Sequence, residues 1–389
     1  MNYSIFNIKK LNEIAKNYAT PCYIYEKKLL LDTLNLVKEN CFKYFKNNIY
    51  LHYALKANDN QEILSLILNN GFGIDCVSGG EIKLAIDLGC DPQKIVFAGV
   101  GKQDNEIEMA LINNIYCFNC ESEEEIRVIN SIANKLKLKA KIMIRVNPNI
   151  ESNTHKNITT GSFNNKFGIP FYQLCSFLED LKQLSNINLI GLHYHIGSQI
   201  CDLTVFKNLV EIINTHVEHL NSLNIPITDL NFGGGLGIDY ENPQDYCFAD
   251  FDGYFKTFHR NFNRNKDIKI HFELGRSLVA QCGIIMSKVI FIKNIENTNY
   301  AIIDAGMNDL IRPALYDSLH KIINLSTSVN FKKYNIVGPV CESTDIFVKN
   351  LLLPELQRND IVIIYSCGAY GHVLAGTYNR RTLIKEYTI

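Results

Sequence analysis

Lys56 stands near the end of an apolar run in which Ile49, Leu51, Tyr53, Leu55 and Ala57 alternate with Tyr50, His52, Ala54 and Lys56. Alternation with a period of two is the pattern of a β-strand. A helical pattern begins at Gln61, so Lys56 is expected at the carboxyl end of a strand, before a strand-to-helix loop. An amine held there loses hydration, its pKa falls, and it becomes a nucleophile toward a carbonyl. The plainer alternative is a lysine that buries its stem and keeps its ammonium in water. Other chemically capable residues close other apolar runs: Asp75 with Ser78 and Glu81, His193 and His195 with Ser198, Gly233-Gly234-Gly235, and Glu273-Leu274-Gly275-Arg276. Three successive glycines offer backbone N–H groups free of side chains, which suits a phosphate, and Arg276 adds a guanidinium. Their alternative is a tight turn that needs positive φ. A carboxylate such as Glu273, facing a pyridine nitrogen, would keep it protonated and make the ring an electron sink. Its alternative is a salt bridge to a neighbouring lysine or arginine.

The elements that must position these groups are read from the same pattern. Apolar runs stand at 49–57, 73–77, 95–98, 116–120, 141–146, 188–195, 229–232 and 269–273, with helical patterns such as Gly80–Leu88, Glu121–Leu136 and Leu203–Leu223 between them. Eight strands alternating with helices predict an α/β fold with a (β/α)8 TIM-type barrel. A doubly wound open sheet competes, but no G-x-G-x-x-G fingerprint follows the first run. Beyond residue 275 short β-branched segments such as Ile284–Ile292 and Tyr300–Asp304 predict a mainly antiparallel β carboxyl-terminal domain. The expected division is a barrel over 46–275 and a β-rich domain from 276–389 together with 1–45, which holds the strand-like Cys22–Tyr25. In a barrel of this kind catalytic groups lie at the carboxyl ends of strands, where the candidates fall.

Composition narrows the class. The chain has 389 residues, 47% of them apolar, and a net charge of −1, which leaves no basic excess for a nucleic acid. No apolar run is long enough to span a bilayer, and the amino terminus lacks a signal-peptide core, so a cytoplasmic protein is expected. Twelve cysteines are spread along the chain, Cys117 and Cys120 alone at C-x-x-C spacing, and are expected to be free thiols, mostly buried. His193 and His195 form an H-x-H pair, also a metal-ligand pattern. His52 lies early in its run and His271 near the start of its own, so no metal is expected. One of the pair is expected to stack flat on a cofactor ring and the other to pack structurally. An imine-forming lysine, a phosphate cradle and a ring-nitrogen carboxylate together describe a site for pyridoxal 5'-phosphate.

The motifs Tyr53-Ala54-Leu55-Lys56-Ala57-Asn58, Asp75-Cys76-Val77-Ser78-Gly79-Gly80-Glu81, His195-Ile196-Gly197-Ser198-Gln199 and Gly233-Gly234-Gly235 resemble those of the pyridoxal-phosphate decarboxylases of alanine-racemase-like fold. Within that family, four further stretches are similar to the branch that acts on meso-2,6-diaminopimelate. They are Thr160-Gly161 with Lys166-Phe167-Gly168, Asp304 to Tyr316, Gly338 to Asp345, and Gly368-Ala369-Tyr370-Gly371. The resemblance covers almost the whole chain. It implies pyridoxal-phosphate-dependent decarboxylation of meso-diaminopimelate to L-lysine and CO2, the last step of lysine biosynthesis, by a homodimer with shared active sites.

By the same resemblance Lys56 carries the cofactor, His195 stacks on its ring and Glu273 pairs with the ring nitrogen. Gly233, Gly234, Gly235, Arg276 and Tyr370 hold the phosphate side, and Asp75, Ser198 and Gly275 complete the cofactor set. Arg276, Arg312, Tyr316 and Tyr370 bind substrate, the first three at the carboxylate that is kept, while Glu342 takes the distal ammonium. Cys341 is the acid that protonates the product. The family usually has proline where this chain has Leu274. Two other readings fit the fold. A non-catalytic relative would have lost the lysine or the acid, whereas Lys56, Glu273 and Cys341 are all present. A decarboxylase for another basic substrate, such as carboxynorspermidine, is disfavoured by Arg312 with Tyr316. A simple diamine precursor such as ornithine would leave Arg312 unpaired, a costly state for a buried charge.

Overall fold

A computed structural model describes residues 6–150, 165–263 and 267–389. Thr160 and Gly161 of the resemblance lie outside them. The chain divides into two compact units, Leu34–Gly237 with Asp250–Gly275, and the residues up to Thr33 with Ile238–Ala249 and Arg276–Ile389.

In the β-rich unit, β1 is Cys22–Tyr25. The other unit holds β2 (Ile49–Ala54), β3 (Gly73–Cys76), β4 (Ile95–Phe97), β5 (Cys117–Cys120) and β6 (Ala140–Asn147). It continues with the two-residue β7 (Ile169–Pro170), then β8 (Ile187–His193), β9 (Asp229–Asn231) and β10 (Lys269–Leu274). Its strands run in the order β5-β4-β3-β2-β10-β9-β8-β6, and β5 also pairs with β6, which closes the barrel. Every one of these pairings is parallel. Closure settles the architecture against an open sheet.

Alternation along these strands sorts the side chains. Phe232 and Phe272 point outward and pack with Tyr254, Phe255 and Phe258 of the helix Phe251–Asn261. All five rings are buried, and burial of each apolar side chain contributes roughly 1.5–3 kcal/mol. The inward positions are unusually polar: His52, Asn119, His193, Asp229, Asn231, His271 and Glu273 are all buried. Buried polar groups require partners, and these find one another.

Two local readings change. The alternation through Ala57 predicted a strand to that point, but β2 stops at Ala54 and Leu55–Ala57 turn as a 3-10 helix. Lys56 is therefore carried by the turn after the strand. Ser78 and Glu81 serve the helix Gly79–Asp87: the Ser78 hydroxyl accepts from the Glu81 N–H at 3.2 Å, and Glu81 accepts from the Val77 N–H at 2.7 Å. Such a serine-to-glutamate spacing of three is the signature of a helix start.

The second unit adds β11 (Gly283–Ile295), β12 (Thr298–Ile303), β13 (Ile322–Asn324), β14 (Phe331–Val337), β15 (Ile346–Pro354), β16 (Ile361–Ile364) and β17 (Lys385–Thr388). The long β11 pairs antiparallel with β1, β12 and β16. Only β1–β17 and β12–β14 are parallel among the described pairings, so the sheet is mainly antiparallel. The segment Ile238–Ala249 lies inside the expected barrel span yet packs with this unit. The Lys321 N–H donates to the Tyr240 carbonyl at 3.1 Å, and Gln244 donates to the Tyr365 hydroxyl at 2.8 Å. At the other boundary the division falls within the helix Lys27–Tyr44 rather than after it. Among the described residues no helix is long and apolar enough to cross a membrane.

Candidate active site

The barrel unit places Lys56, Asp75, His195, Gly233–Gly235 and Glu273 at the carboxyl ends of its strands. Lys56 Nζ donates to Asp75 Oδ2 at 3.2 Å. The Asp75 carboxyl is almost fully buried, which pushes it up to about 6 even against the pull of the Lys56 ammonium. Asp75 Oδ1 is buried with no hydrogen-bond partner.

Glu273 is the most heavily supported group. Oε1 accepts from Asn119 Nδ2 at 2.9 Å and from Asn231 Nδ2 at 2.6 Å, and Oε2 lies 3.0 Å from His193 Nε2. Burial alone would raise this carboxyl. The charge and hydrogen bond of His193, then Lys56 and His52, outweigh burial and hold it below the usual carboxylate range. Glu273 is thus kept as an anion, and the basic side chain that meets it is a histidine rather than a lysine or arginine. His193 does more than pack, contrary to expectation: its register neighbour in β9 is Asn231, so one rung of the barrel brings two groups to the same carboxylate.

The glycine turn departs from expectation in a second way. Its N–H groups were expected to be open, but Gly233 donates to Asn231 Oδ1 at 2.9 Å and Gly234 to His195 Nδ1 at a long 3.4 Å. Asn231 therefore joins the turn to Glu273 through its two amide ends. The glycines themselves are required. A Cβ on Gly233 would lie 2.2 Å from the Tyr194 carbonyl, and one on Gly234 would lie 1.9 Å from the Glu273 carbonyl. Gly233 and Gly235 also have φ of +66° and +101°. Because a backbone N–H only donates, His195 Nδ1 presents a lone pair to Gly234. Burial, then Arg145 and Lys56, hold the His195 imidazole well below its usual range, so it is neutral.

Deeper in the barrel His52 Nε2 and His271 Nδ1 are 3.0 Å apart, and His271 Nε2 meets Asp229 Oδ1 at 2.9 Å. Among the described residues no group of three or more His, Cys, Asp or Glu side chains is arranged to hold a metal ion.

The β-rich unit holds the remaining candidates. Arg276 Nη1 donates to the Tyr240 hydroxyl at 2.7 Å, and its guanidinium lies 4.9 Å from the Tyr370 ring centre. Arg312 opens the short helix Arg312–Tyr316 and is 4% exposed. No carboxylate pairs with it among the described residues, and its Nε is buried with no partner. Burial lowers it from the ordinary guanidinium range, with Tyr240 opposing and Arg276 adding to the shift. Tyr316 and Tyr370 are half-buried. Cys341 and Glu342 are exposed, on a loop folded by Asp345, whose carboxylate accepts from the N–H groups of Met307 and Val340, each at 2.7 Å. Glu342 accepts from the Tyr378 hydroxyl at 2.5 Å, and the Cys341 N–H donates to Asn379 at 2.9 Å. Eight of the twelve thiols are buried, and none is in a disulfide.

Asn119, Asn231, Tyr240 and His320 escaped the sequence reading, and Asp345 entered it only as the end of a motif, without a role. The signal for the first two was present: each is a polar residue at an inward position of a short apolar strand. The other three act through loops, whose side-chain directions carry no periodicity.

Residues 34–280 match the family model described as pyridoxal-dependent decarboxylase, pyridoxal binding domain. Diaminopimelate decarboxylase of Bacteroides thetaiotaomicron is 43% identical over 384 residues, 99% of this chain and 98% of that protein. Diaminopimelate decarboxylase of Zymomonas mobilis is 37% identical, over 97% of this chain and 90% of that protein. The crystal structure of diaminopimelate decarboxylase from Helicobacter pylori complexed with L-lysine is similar with a TM-score of 0.90 at 37% identity, covering 97% of this chain and 94% of that one.

Proposed function

This chain belongs to the pyridoxal-dependent decarboxylases, and on that premise we propose that it converts meso-2,6-diaminopimelate to L-lysine and CO2 with pyridoxal 5'-phosphate, as a cytoplasmic homodimer. The barrel residues fit the cofactor. Glu273 is an anion that three donors hold in place, and Asp75 retains an unpartnered buried oxygen beside the Lys56 amine. When bound, the cofactor supplies a protonated pyridine ring that takes up the electron pair left behind by CO2.

The chain's own residues do the rest. Lys56 would hold the cofactor through its amine, which Asp75 keeps in place. Glu273, kept as an anion, would hold a proton on the ring nitrogen. Neutral His195 would face the ring, and Ser198, Gly275, Arg276 and Tyr370, with the turn Gly233–Gly235, would hold the phosphate side. Arg276, Arg312 and Tyr316 take the substrate carboxylate that is kept. Glu342 pairs with the distal ammonium. The bond from the α-carbon to the other carboxylate breaks, CO2 leaves, and the Cys341 thiol delivers the proton that replaces it. Exposure of Cys341 and Glu342 supports their serving the partner's site across a twofold axis.

The observation that carries the choice of substrate is Arg312, buried and without a carboxylate partner among the described residues. An uncompensated buried charge is costly, and a substrate with a second carboxylate supplies the missing partner. CO2 release measured in parallel from meso-diaminopimelate, ornithine, arginine and lysine tests the reading. Turnover of diaminopimelate alone is expected; turnover of any of the other three at a comparable rate would overturn it.

A further inference from the structure

The contacts of Arg312 are held by a residue that has no part in the mechanism above. His320 follows the helix Arg312–Tyr316 and is buried. Its Nδ1 lies 2.8 Å from the Tyr365 carbonyl, and its Nε2 lies 2.7 Å from Arg312 Nη1. A carbonyl only accepts, so Nδ1 carries the proton and Nε2 offers its lone pair to the guanidinium. One neutral tautomer satisfies both contacts. Burial, together with the Arg312 charge, holds the imidazole well below its usual range, in agreement with that tautomer.

The guanidinium is also held on its face. Tyr240 stands 4.6 Å below it, measured to the ring centre, and the edge of the same ring meets His320, with centroids 5.0 Å apart. The Tyr240 hydroxyl accepts from Arg276. Arg312 is therefore fixed at Nη1 and across its plane, while Nε stays buried and unpartnered. Among the described residues no acceptor meets this donor, which suits an acceptor supplied by a ligand.

We propose that His320 is a positioning residue: by occupying Nη1 it presents the Nε edge of Arg312 to the substrate's second carboxylate and so favours a diacid substrate over a diamine precursor. This rests on the reading of Arg312 as a carboxylate-binding group. A pair of substitutions separates the two contacts of His320. Asparagine can still donate to the Tyr365 carbonyl but is too short to reach Arg312. Glutamine can place an oxygen where Nε2 stands. The holoenzyme variants His320→Asn, His320→Gln and Arg312→Lys are compared by kcat and KM for diaminopimelate, visible absorbance of the cofactor, and melting temperature. His320→Asn is expected to raise KM about 10- to 100-fold, the worth of one hydrogen bond to a charged group. Its kcat should change only a few-fold and its cofactor absorbance not at all, and His320→Gln should recover most of the KM. If Arg312→Lys raises KM and His320→Asn does not, the positioning role is wrong. If Gln is impaired and Asn is not, His320 acts through Tyr365 as a structural residue, and the proposal also fails. If none of the three changes KM, the reading of Arg312 itself has failed.

Discussion

Asn231→Asp is the substitution that most directly tests whether Glu273 is held as an anion. The change keeps the oxygen that accepts from Gly233 and replaces the donating amide, 2.6 Å from Glu273 Oε1, by a second carboxylate oxygen. Two unit charges at that separation repel by about 6 kcal/mol with an effective dielectric constant of 20. Rotation of the two side chains relieves part of this, leaving about 3 kcal/mol, or a pKa rise of roughly 2 units shared by the pair. The sign follows from linkage. An aspartate whose folded pKa is raised above its unfolded value of about 3.9 costs nothing while both states hold the proton. The cost grows as pH rises through the folded pKa and is complete above it. In its protonated state the introduced carboxyl can donate to Glu273 as the amide does. The variant should therefore melt close to the parent protein near pH 4, lose about half of the full difference by pH 5, and melt roughly 6–12 °C lower near pH 8, compared at one scan rate. A gap that is constant between these pH values, or that narrows as pH rises, would show that Asn231 does not donate to an ionised Glu273.

The remaining predictions concern attachment and assembly. Borohydride reduction followed by peptide mapping should place the pyridoxyl group on Lys56; a label on any other lysine removes the assignment. Lys56→Ala and Cys341→Ala should each be nearly inactive alone, and subunit exchange between them should restore about a quarter of parent activity, because half the dimers would be mixed and each of those would hold one intact site. Verified exchange with no recovery would mean that Cys341 serves its own chain or has no role.

Much of this protein is legible in its sequence because strand and helix periods are local. The alternation from Ile49 to Lys56 and the apolar runs that follow declare their elements without help from distant residues, whereas Ser78 and Glu81, read as chemically capable, prove to cap a helix. The positions of Lys56 and Glu273 beside strand ends follow from those runs. Closure of the barrel over an open sheet was favoured by a count of eight and decided only by the pairing of β5 with β6. The ionised state of Glu273 was not legible. Its partners are 154, 42 and 80 residues away in the chain, on three other strands. Only the register of the closed barrel brings Asn119, Asn231 and His193 to one carboxylate. The glycine turn shows the same limit: three glycines announce a tight backbone, but whether their N–H groups face a ligand or the protein depends on where Asn231 and His195 arrive. Arg312 was singled out by the family motif that contains it, whereas its fixed orientation comes from Tyr240 and His320, contributed by loops. Secondary structure follows from each residue's near neighbours, while charge state and hydrogen-bond direction follow from groups that only the folded chain brings within about 3 Å of one another.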